Sequence, residues 1–265
     1  LAADVRLIAL DLDGTLLNPS NQISDEDAAA VREAVAAGVR VVLATARWHG
    51  AAARTAQRLG LDGYVISHNG ALVRSCDATE ELLHLRIEEG LTRRLAEHID
   101  GLDGDAYLTI AERTFVRSPR FAAAARLPAD MELTDRLARS VTGPATAILL
   151  FGKEAVRNTI ERFRDEATLN LAEGFSESFP DYLNIVDAGA DKGRALLHLC
   201  EELSIEIECV MAVGDAAPDV PMLEAAGIGV AMGNAPQTVK AAADLIAPSN
   251  SDAGVAWAIR NHVLG

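Results

Sequence analysis

The sequence predicts an α/β fold: a doubly wound parallel sheet of the Rossmann-like kind, interrupted by an inserted α+β domain. Three observations predict it. Short apolar runs alternate with helix-period segments at both ends of the chain, the pattern of buried parallel strands joined by helices. The middle, from about Glu81 to Asn184, separates its strand-like runs by turns as well as by helices. The length of 265 residues suits one large domain or two smaller ones. The expected division is a discontinuous core, residues 1–81 and 185–265, around an inserted domain, residues 82–184.

Four apolar runs end in polar residues. Val5–Leu10 runs into Asp11, Val39–Ala44 into Thr45, Tyr64–Ile66 into Ser67 and Asn69, and Val210–Val213 into Gly214-Asp215. Between them the helices carry their own signals. Ser24, with Asp27 three residues on, caps Asp25–Ala37, and Gly38 stops it. Ala51–Leu59 ends at Gly60 in the same way, and Asp191 caps a helix through about Leu203 with Lys192 in its first turn. Asn234-Ala235-Pro236 opens Gln237–Ala243, and Ser251 opens Asp252–His262. In the insert the pattern gives helices over Glu88–Ile99, Met131–Ser140 and Glu154–Glu166. It gives strands over Ala106–Ile110, Thr114–Arg117, Ala145–Phe151, Leu169–Ala172 and Tyr182–Val186.

A hydrophobic content of 49% and a charged content of 24% are those of an ordinary globular protein. The net charge of −15 argues against a general affinity for nucleic acid or anionic membrane, since both need a basic surface. Three cysteines, Cys76, Cys200 and Cys209, are too few and too scattered for a disulfide framework and read as small buried apolar residues. The six histidines show no zinc-type spacing. No stretch has the length and apolarity of a membrane span, and no basic segment leads a long apolar one, so a cytoplasmic protein is expected, as monomer or homodimer.

Chemistry concentrates in Asp11-Leu12-Asp13-Gly14-Thr15-Leu16. Strand side chains repeat every second residue, so Asp11 and Asp13 leave the first strand aimed the same way, and Gly14 lets the chain turn. Two like charges at a strand end call for a cation or a proton, which suits a hard metal ion and phosphoryl transfer. In an open parallel sheet the site lies beyond the carboxyl ends of the strands, where Asp11, Thr45 and Asp215 are all expected. Asp11 can attack phosphorus to form an acyl phosphate. Asp13 can protonate the leaving oxygen and then take a proton from water. Thr45 can donate a hydroxyl and Lys192 a positive charge to the phosphoryl oxygens. Asp215 can complete an oxygen shell for Mg²⁺. One decoy, Gly227-x-Gly229-x-x-x-Gly233, has the look of a dinucleotide loop, but its spacing is wrong and it follows a helix rather than opening one.

Asp11–Leu16, Thr45-Ala46-Arg47, Asp191-Lys192-Gly193 and Gly214-Asp215-Ala216-Ala217-Pro218-Asp219 resemble the four motifs of the haloacid dehalogenase superfamily. The match is nearest to its Cof-type phosphatases with a class IIB cap. Asn69-Gly70-Ala71, Ala231-Met232-Gly233-Asn234-Ala235, Asn250 and Asp252-Ala253-Gly254-Val255 resemble that group too. The resemblance implies Asp11 as nucleophile, Asp13 as general acid and base, and Lys192 in catalysis. It implies Thr45, Ala46, Arg47, Asn69 and Lys192 against phosphate or substrate. Mg²⁺ would be held by the Asp11 carboxylate, the Asp13 main-chain carbonyl and Asp215, with Asp219 close by. The insert would close over the core, and the implied substrates are small phosphate esters such as sugar phosphates or phosphorylated cofactors.

Two positions depart from the pattern. Pro218 stands where the subgroup usually has Asn, removing a carboxamide and an N–H. Ala46 stands where Gly is usual, which costs little unless the backbone there is left-handed. A phosphomutase, or a weakly active ligand-binding protein on the same core, are the alternative readings. Release of inorganic phosphate separates both from a phosphatase.

Overall fold

The computed structural model describes residues 4–118, 127–166, 169–174 and 182–264. In chain order the elements begin with β1 (Leu7–Leu10), α1 (Asp25–Ala36), β2 (Arg40–Ala44), α2 (His49–Leu59), β3 (Tyr64–Ser67), β4 (Leu72–Ser75) and β5 (Glu81–His84). Then come α3 (Glu89–Asp100), β6 (Ala106–Ile110), β7 (Arg113–Arg117), β8 (Met131–Leu133), β9 (Ala147–Phe151), α4 (Lys153–Phe163), β10 (Leu169–Gly174) and β11 (Tyr182–Asp187). The chain closes with α5 (Lys192–Leu203), β12 (Val210–Gly214), α6 (Val220–Ala225), β13 (Ile228–Ala231), α7 (Gln237–Lys240), β14 (Leu245–Ile246) and α8 (Gly254–His262). Two compact units result: Leu1–Leu83 with Asp191–Gly265, and His84–Ala190.

The first unit is built on a sheet of order β14-β13-β12-β1-β2-β3-β4-β5. Its strands from β14 to β3 are parallel, and β4 turns back antiparallel to β3. The alternation of β1 shows why both faces are covered. Ile8 and Leu10 pack with Ala30, Val31, Ala56, Val255 and Ile259, from α1, α2 and α8. Leu7 and Ala9 pack with Leu196, Leu199, Met222 and Val239, from α5, α6 and α7. Strand order runs outward from β1 in both directions, so the crevice between the ends of β1 and β12 is the topological switch point.

Caps hold the helices that matter most. The Ser24 hydroxyl accepts the Asp27 N–H at 3.0 Å and donates to the Asp27 carboxylate at 2.7 Å. Buried Asp27 in turn accepts the Ala256 N–H at 2.8 Å, so one side chain fastens α1 to α8. Asp191 caps α5 by accepting the Arg194 N–H at 2.8 Å. A Cβ on Gly193 would stand 2.4 Å from the Pro221 carbonyl oxygen, so glycine there lets α5 sit against α6.

The second unit carries a sheet of order β10-β11-β9-β6-β7-β8, antiparallel except for the β7–β8 pair. Leu183 and Ile185 of β11 join Leu91, Leu95 and Ile99 of α3 and Val156 of α4 in its core. The expected return to the core at residue 185 falls inside β11, which the antiparallel sheet keeps through Asp187.

Several elements differ from expectation. The helix expected over Met131–Ser140 is instead β8 followed by a 3₁₀ turn, Leu137–Ser140. The Asp100 carboxylate accepts the Leu137 and Ala138 N–H groups at 2.8 and 3.0 Å, and Met131–Leu133 pair with Thr114–Val116; both draw the backbone out of a continuous helix. The helix expected from Ser251 starts at Gly254, because Ala253 is left-handed (φ 53°) and breaks the run before it. The helix expected over Gln237–Ala243 stops at Lys240. Strands β4, β5, β13 and β14 were not predicted. They are short, and β13 includes Gly229, whose missing side chain admits the Leu223 carbonyl oxygen 2.4 Å from where its Cβ would be.

Candidate active site

The parallel ladder delivers Asp11 to its place. Its N–H donates to the Val213 carbonyl at 3.0 Å, so the residue after β1 sits beside the end of β12. The side chain is buried, and one oxygen accepts Lys192 Nζ at 2.7 Å. Lys192 reaches it from the first turn of α5 and donates also to Asp219 Oδ1 at 2.5 Å. The lysine is 2% exposed and lies between two carboxylates.

Asp219 is the most heavily bonded acid of the cluster. Its second oxygen accepts the N–H groups of Asp215 and Ala216, both at 2.9 Å, closing the loop after β12. Asp215 accepts the Thr15 hydroxyl at 3.0 Å on one oxygen and the Asn234 amide at 3.3 Å on the other. Gly14 makes the turn possible: its φ is 89°, and a Cβ there would meet the Asp215 carboxylate at 2.2 Å.

Electrostatics follow from two buried acids on one ammonium, with the half-buried Asp215 beside them. Burial, then repulsion from Asp219, raises the Asp11 pKa well above the ordinary carboxylate value against the pull of Lys192. The same two causes push Asp215 up to about 7, with the Thr15 bond opposing them. Burial works against the Lys192 charge, but Asp11 and Asp219 outweigh it and raise its pKa above the usual lysine value. Carboxylate oxygens of Asp11, Asp215 and Asp219 lie within 4.8 Å of one another. The donor set is all oxygen, without thiol or imidazole, and the unbalanced negative charge matches a hard divalent cation. Asp11 accepts one of these hydrogen bonds and Asp215 two, which leaves both with lone pairs for it; Asp219 accepts three, has the least capacity left, and holds Lys192 and the Asp215 loop.

Asp13 and Arg47 form a pair that the sequence did not foretell. The guanidinium grips both Asp13 oxygens, Nε at 2.7 Å and Nη2 at 2.5 Å, and Nη2 also reaches Asn21 Oδ1 at 3.3 Å. Thr45 is fully buried at the end of β2, and its hydroxyl oxygen accepts the Arg47 N–H at 3.2 Å. Asn69 donates its N–H to the Thr45 carbonyl at 3.0 Å, while its side-chain oxygen is buried without a hydrogen-bond partner among the described residues. Ala46 is not left-handed, so it loses nothing by not being glycine. Pro218 sits inside the 3₁₀ turn Ala217–Asp219, where its missing N–H is no loss to the fold.

Gly70 links the Asn69 turn to the lysine helix. Its φ is 94°, and a Cβ would lie 2.2 Å from the Asp191 carbonyl oxygen, at the start of α5. Gly70→Ala is therefore expected to destabilise the protein by about 2–3 kcal/mol, from backbone strain plus overpacking. Denaturant unfolding measures it; an unchanged midpoint contradicts the close approach.

Asp11, Asp13, Thr45, Lys192, Asp215 and Asp219 all belong to the first unit and lie at or beyond strand ends of one sheet or on the helix turns beside them. The family model for haloacid dehalogenase-like hydrolases matches residues 8–259. The chain belongs to the haloacid dehalogenase-like hydrolases. Among its relatives is the 5-amino-6-(5-phospho-D-ribitylamino)uracil phosphatase of Bacillus subtilis, 33% identical over 98% of this chain and 97% of the relative. The pyridoxal phosphate phosphatase of Escherichia coli is 30% identical over 98% and 99% of the two chains. Among solved structures, a haloacid dehalogenase-like hydrolase from B. subtilis superposes with a TM-score of 0.84 at 27% identity, covering 97% of this chain and 99% of its own. The superfamily expected from the four motifs is thus the one found, and as one of these hydrolases the protein is an enzyme of the phosphatase kind. Among the described residues no helix is long and apolar enough to cross a membrane.

Sequence reasoning missed Thr15 as a member of this haloacid dehalogenase-like site, and missed the partner of Arg47, which it had set against phosphate or substrate. Thr15 stood in plain view two residues after Asp13, but its partner Asp215 is 200 residues away and only the sheet brings them together. The grip of Arg47 on Asp13 likewise depends on β1 and β2 being neighbours.

Proposed function

We propose that the protein is a Mg²⁺-dependent phosphatase that hydrolyses a small phosphomonoester through an aspartyl-phosphate on Asp11. The observation that carries this reading is the Lys192 ammonium bonded to Asp11 and Asp219 beside Asp215 at the switch point of the sheet. The substrate in this reading is a sugar phosphate or a phosphorylated cofactor, and the phosphates named for the two relatives support that choice.

Asp11 has one oxygen bonded to Lys192 and a second without a hydrogen-bond partner among the described residues, and the second is the attacking atom. It forms a bond to phosphorus as the ester P–O bond breaks, and Asp13 gives its proton to the departing oxygen. Each Asp13 oxygen accepts an Arg47 N–H and keeps a second lone pair, on which it can carry that proton. Water then attacks phosphorus, Asp13 recovers a proton from it, and inorganic phosphate leaves with Asp11 restored. The Thr45 hydroxyl and Lys192 ammonium bond the phosphoryl oxygens throughout. Mg²⁺ would be held by the carboxylates of Asp11 and Asp215 and the Asp13 main-chain carbonyl; it would offset negative charge on the phosphoryl group and its attacker.

A panel of phosphate esters, assayed for released phosphate with Mg²⁺ and with chelator, tests the reading. Release that requires Mg²⁺ is expected; wild-type protein that frees no phosphate from any ester contradicts it.

Metal and pH are coupled at this site. Folding raises the Asp215 pKa to about 7, so the folded state binds this proton more tightly than the unfolded chain does. Below the unfolded carboxylate pKa both states are protonated and nothing is lost. As pH rises from there through the folded value, metal-free stability falls. A cation on the ionised carboxylates offsets the loss. Mg²⁺ is therefore expected to raise Tm more at about pH 8 than at about pH 5.5, where protons compete for the same oxygens. Thermal unfolding at both values checks this, and an equal or larger gain on the acid side contradicts it.

A further inference from the structure

Asn234 and Asn250 lie outside the steps above, yet their side chains form a continuous strap to the acid cluster. The Asn234 NH₂ group donates to the Gly14 carbonyl at 2.8 Å and to Asp215 Oδ2 at 3.3 Å. One nitrogen thus joins the turn that follows Asp11 and Asp13 to the loop that carries Asp215. Its own Oδ1 accepts the Asn250 N–H at 3.0 Å, which fixes which end of the amide faces the carboxylate. Asn250 is anchored in turn: it is buried, and its amide donates to the Leu17 carbonyl at 2.8 Å. The strap therefore crosses from the end of the chain to the N-terminal loop at two points, Gly14 and Leu17.

On the other side of Asp215, the fully buried Thr15 donates to Oδ1. Each carboxylate oxygen of Asp215 consequently accepts one hydrogen bond from a different loop, and each keeps a lone pair. A carboxylate held from both sides cannot rotate about its last torsion without breaking a bond. Such supports around a ligating group set metal affinity as well as orientation.

We infer that Asn234 is a positioning residue for the divalent cation: its amide, locked by Asn250, sets the Asp215 carboxylate in register with the Asp11–Gly14 turn. The inference rests on the Mg²⁺ reading of the site and deepens it, by assigning a role in metal affinity to a residue that touches neither substrate nor reacting atoms.

The test is direct Mg²⁺ binding by titration calorimetry on the full chain, with no ester present, together with thermal unfolding in chelator. Asn234→Ala is expected to weaken Mg²⁺ binding by about tenfold or more. Asn234 is exposed, so its Tm in chelator is expected to stay close to wild type. If the alanine variant is unstable, Asn234→Ser reads the same quantity, since serine keeps a small polar group there but is too short to span Gly14 and Asp215. Unchanged affinity in a folded variant overturns the inference and leaves the phosphatase reading standing. Wild-type protein that binds no Mg²⁺ overturns both.

Discussion

Replacing Asp11 by Asn is expected to lower kcat by about four orders of magnitude or more, because removal of a covalent nucleophile leaves only the residual effect of binding and charge. The substitution keeps the shape of the side chain. It keeps the oxygen that can accept from Lys192, and it removes the atom that attacks. The same change is expected to act in the opposite direction on stability. Asp11 is disfavoured as an anion by burial and by Asp219, so a neutral amide relieves the metal-free fold. Phosphate release and unfolding in chelator, measured on one preparation, read both effects. A variant that turns over like wild type removes the nucleophile assignment. A variant that is inactive and also markedly less stable than wild type in chelator means that the inactivity reports a damaged fold.

The second large effect is expected from Lys192→Met, which matches the length of the side chain without its charge. Lys192 is the shared partner of Asp11 and Asp219 in a position 2% exposed. Removing it leaves two buried carboxylates facing each other, and breaking a buried pair in this way costs about 3–5 kcal/mol. Activity is expected to fall by about a hundredfold or more, since a fixed positive charge on the phosphoryl oxygens is lost as well. Lys192→Arg is not expected to rescue either loss, because a planar fork cannot take the place of a compact ammonium between two oxygens 2.5 and 2.7 Å away. Denaturant unfolding measures the first effect, and kcat well below the unfolding midpoint measures the second. A stable variant with full activity contradicts the central place given to the lysine.

The core was legible because its signals are local. The run into Asp11, the Ser24 and Asp191 caps and the glycine after α2 can each be read within about one helical turn of sequence, and each stands where expected. The strand-end rule brings Asp11, Thr45 and Asp215 to one side of the sheet, whereas Lys192, in the first turn of a helix, is tied to them by the family motif it stands in. What was not legible depends on partners far along the chain. Met131–Leu133 looks like the start of a helix until β7 offers it a ladder. Thr15, Arg47 and Asn234 carry no motif that announces a hydrogen bond to Asp215, Asp13 or Gly14. Short strands such as β13 and β14 exist because a neighbouring strand already stands there to pair with them, which no window of a few residues can show.

The measurement closest to the central claim is capture of the covalent intermediate. Wild-type protein with Mg²⁺ and a substrate ester from the active panel, quenched in acid during turnover and digested, is expected to yield a phosphorylated peptide containing Asp11, with the modification on that side chain and absent from Asp11→Asn. Steady turnover with no phosphoryl group on Asp11 at any quench time, or with the group on another residue, would contradict the account.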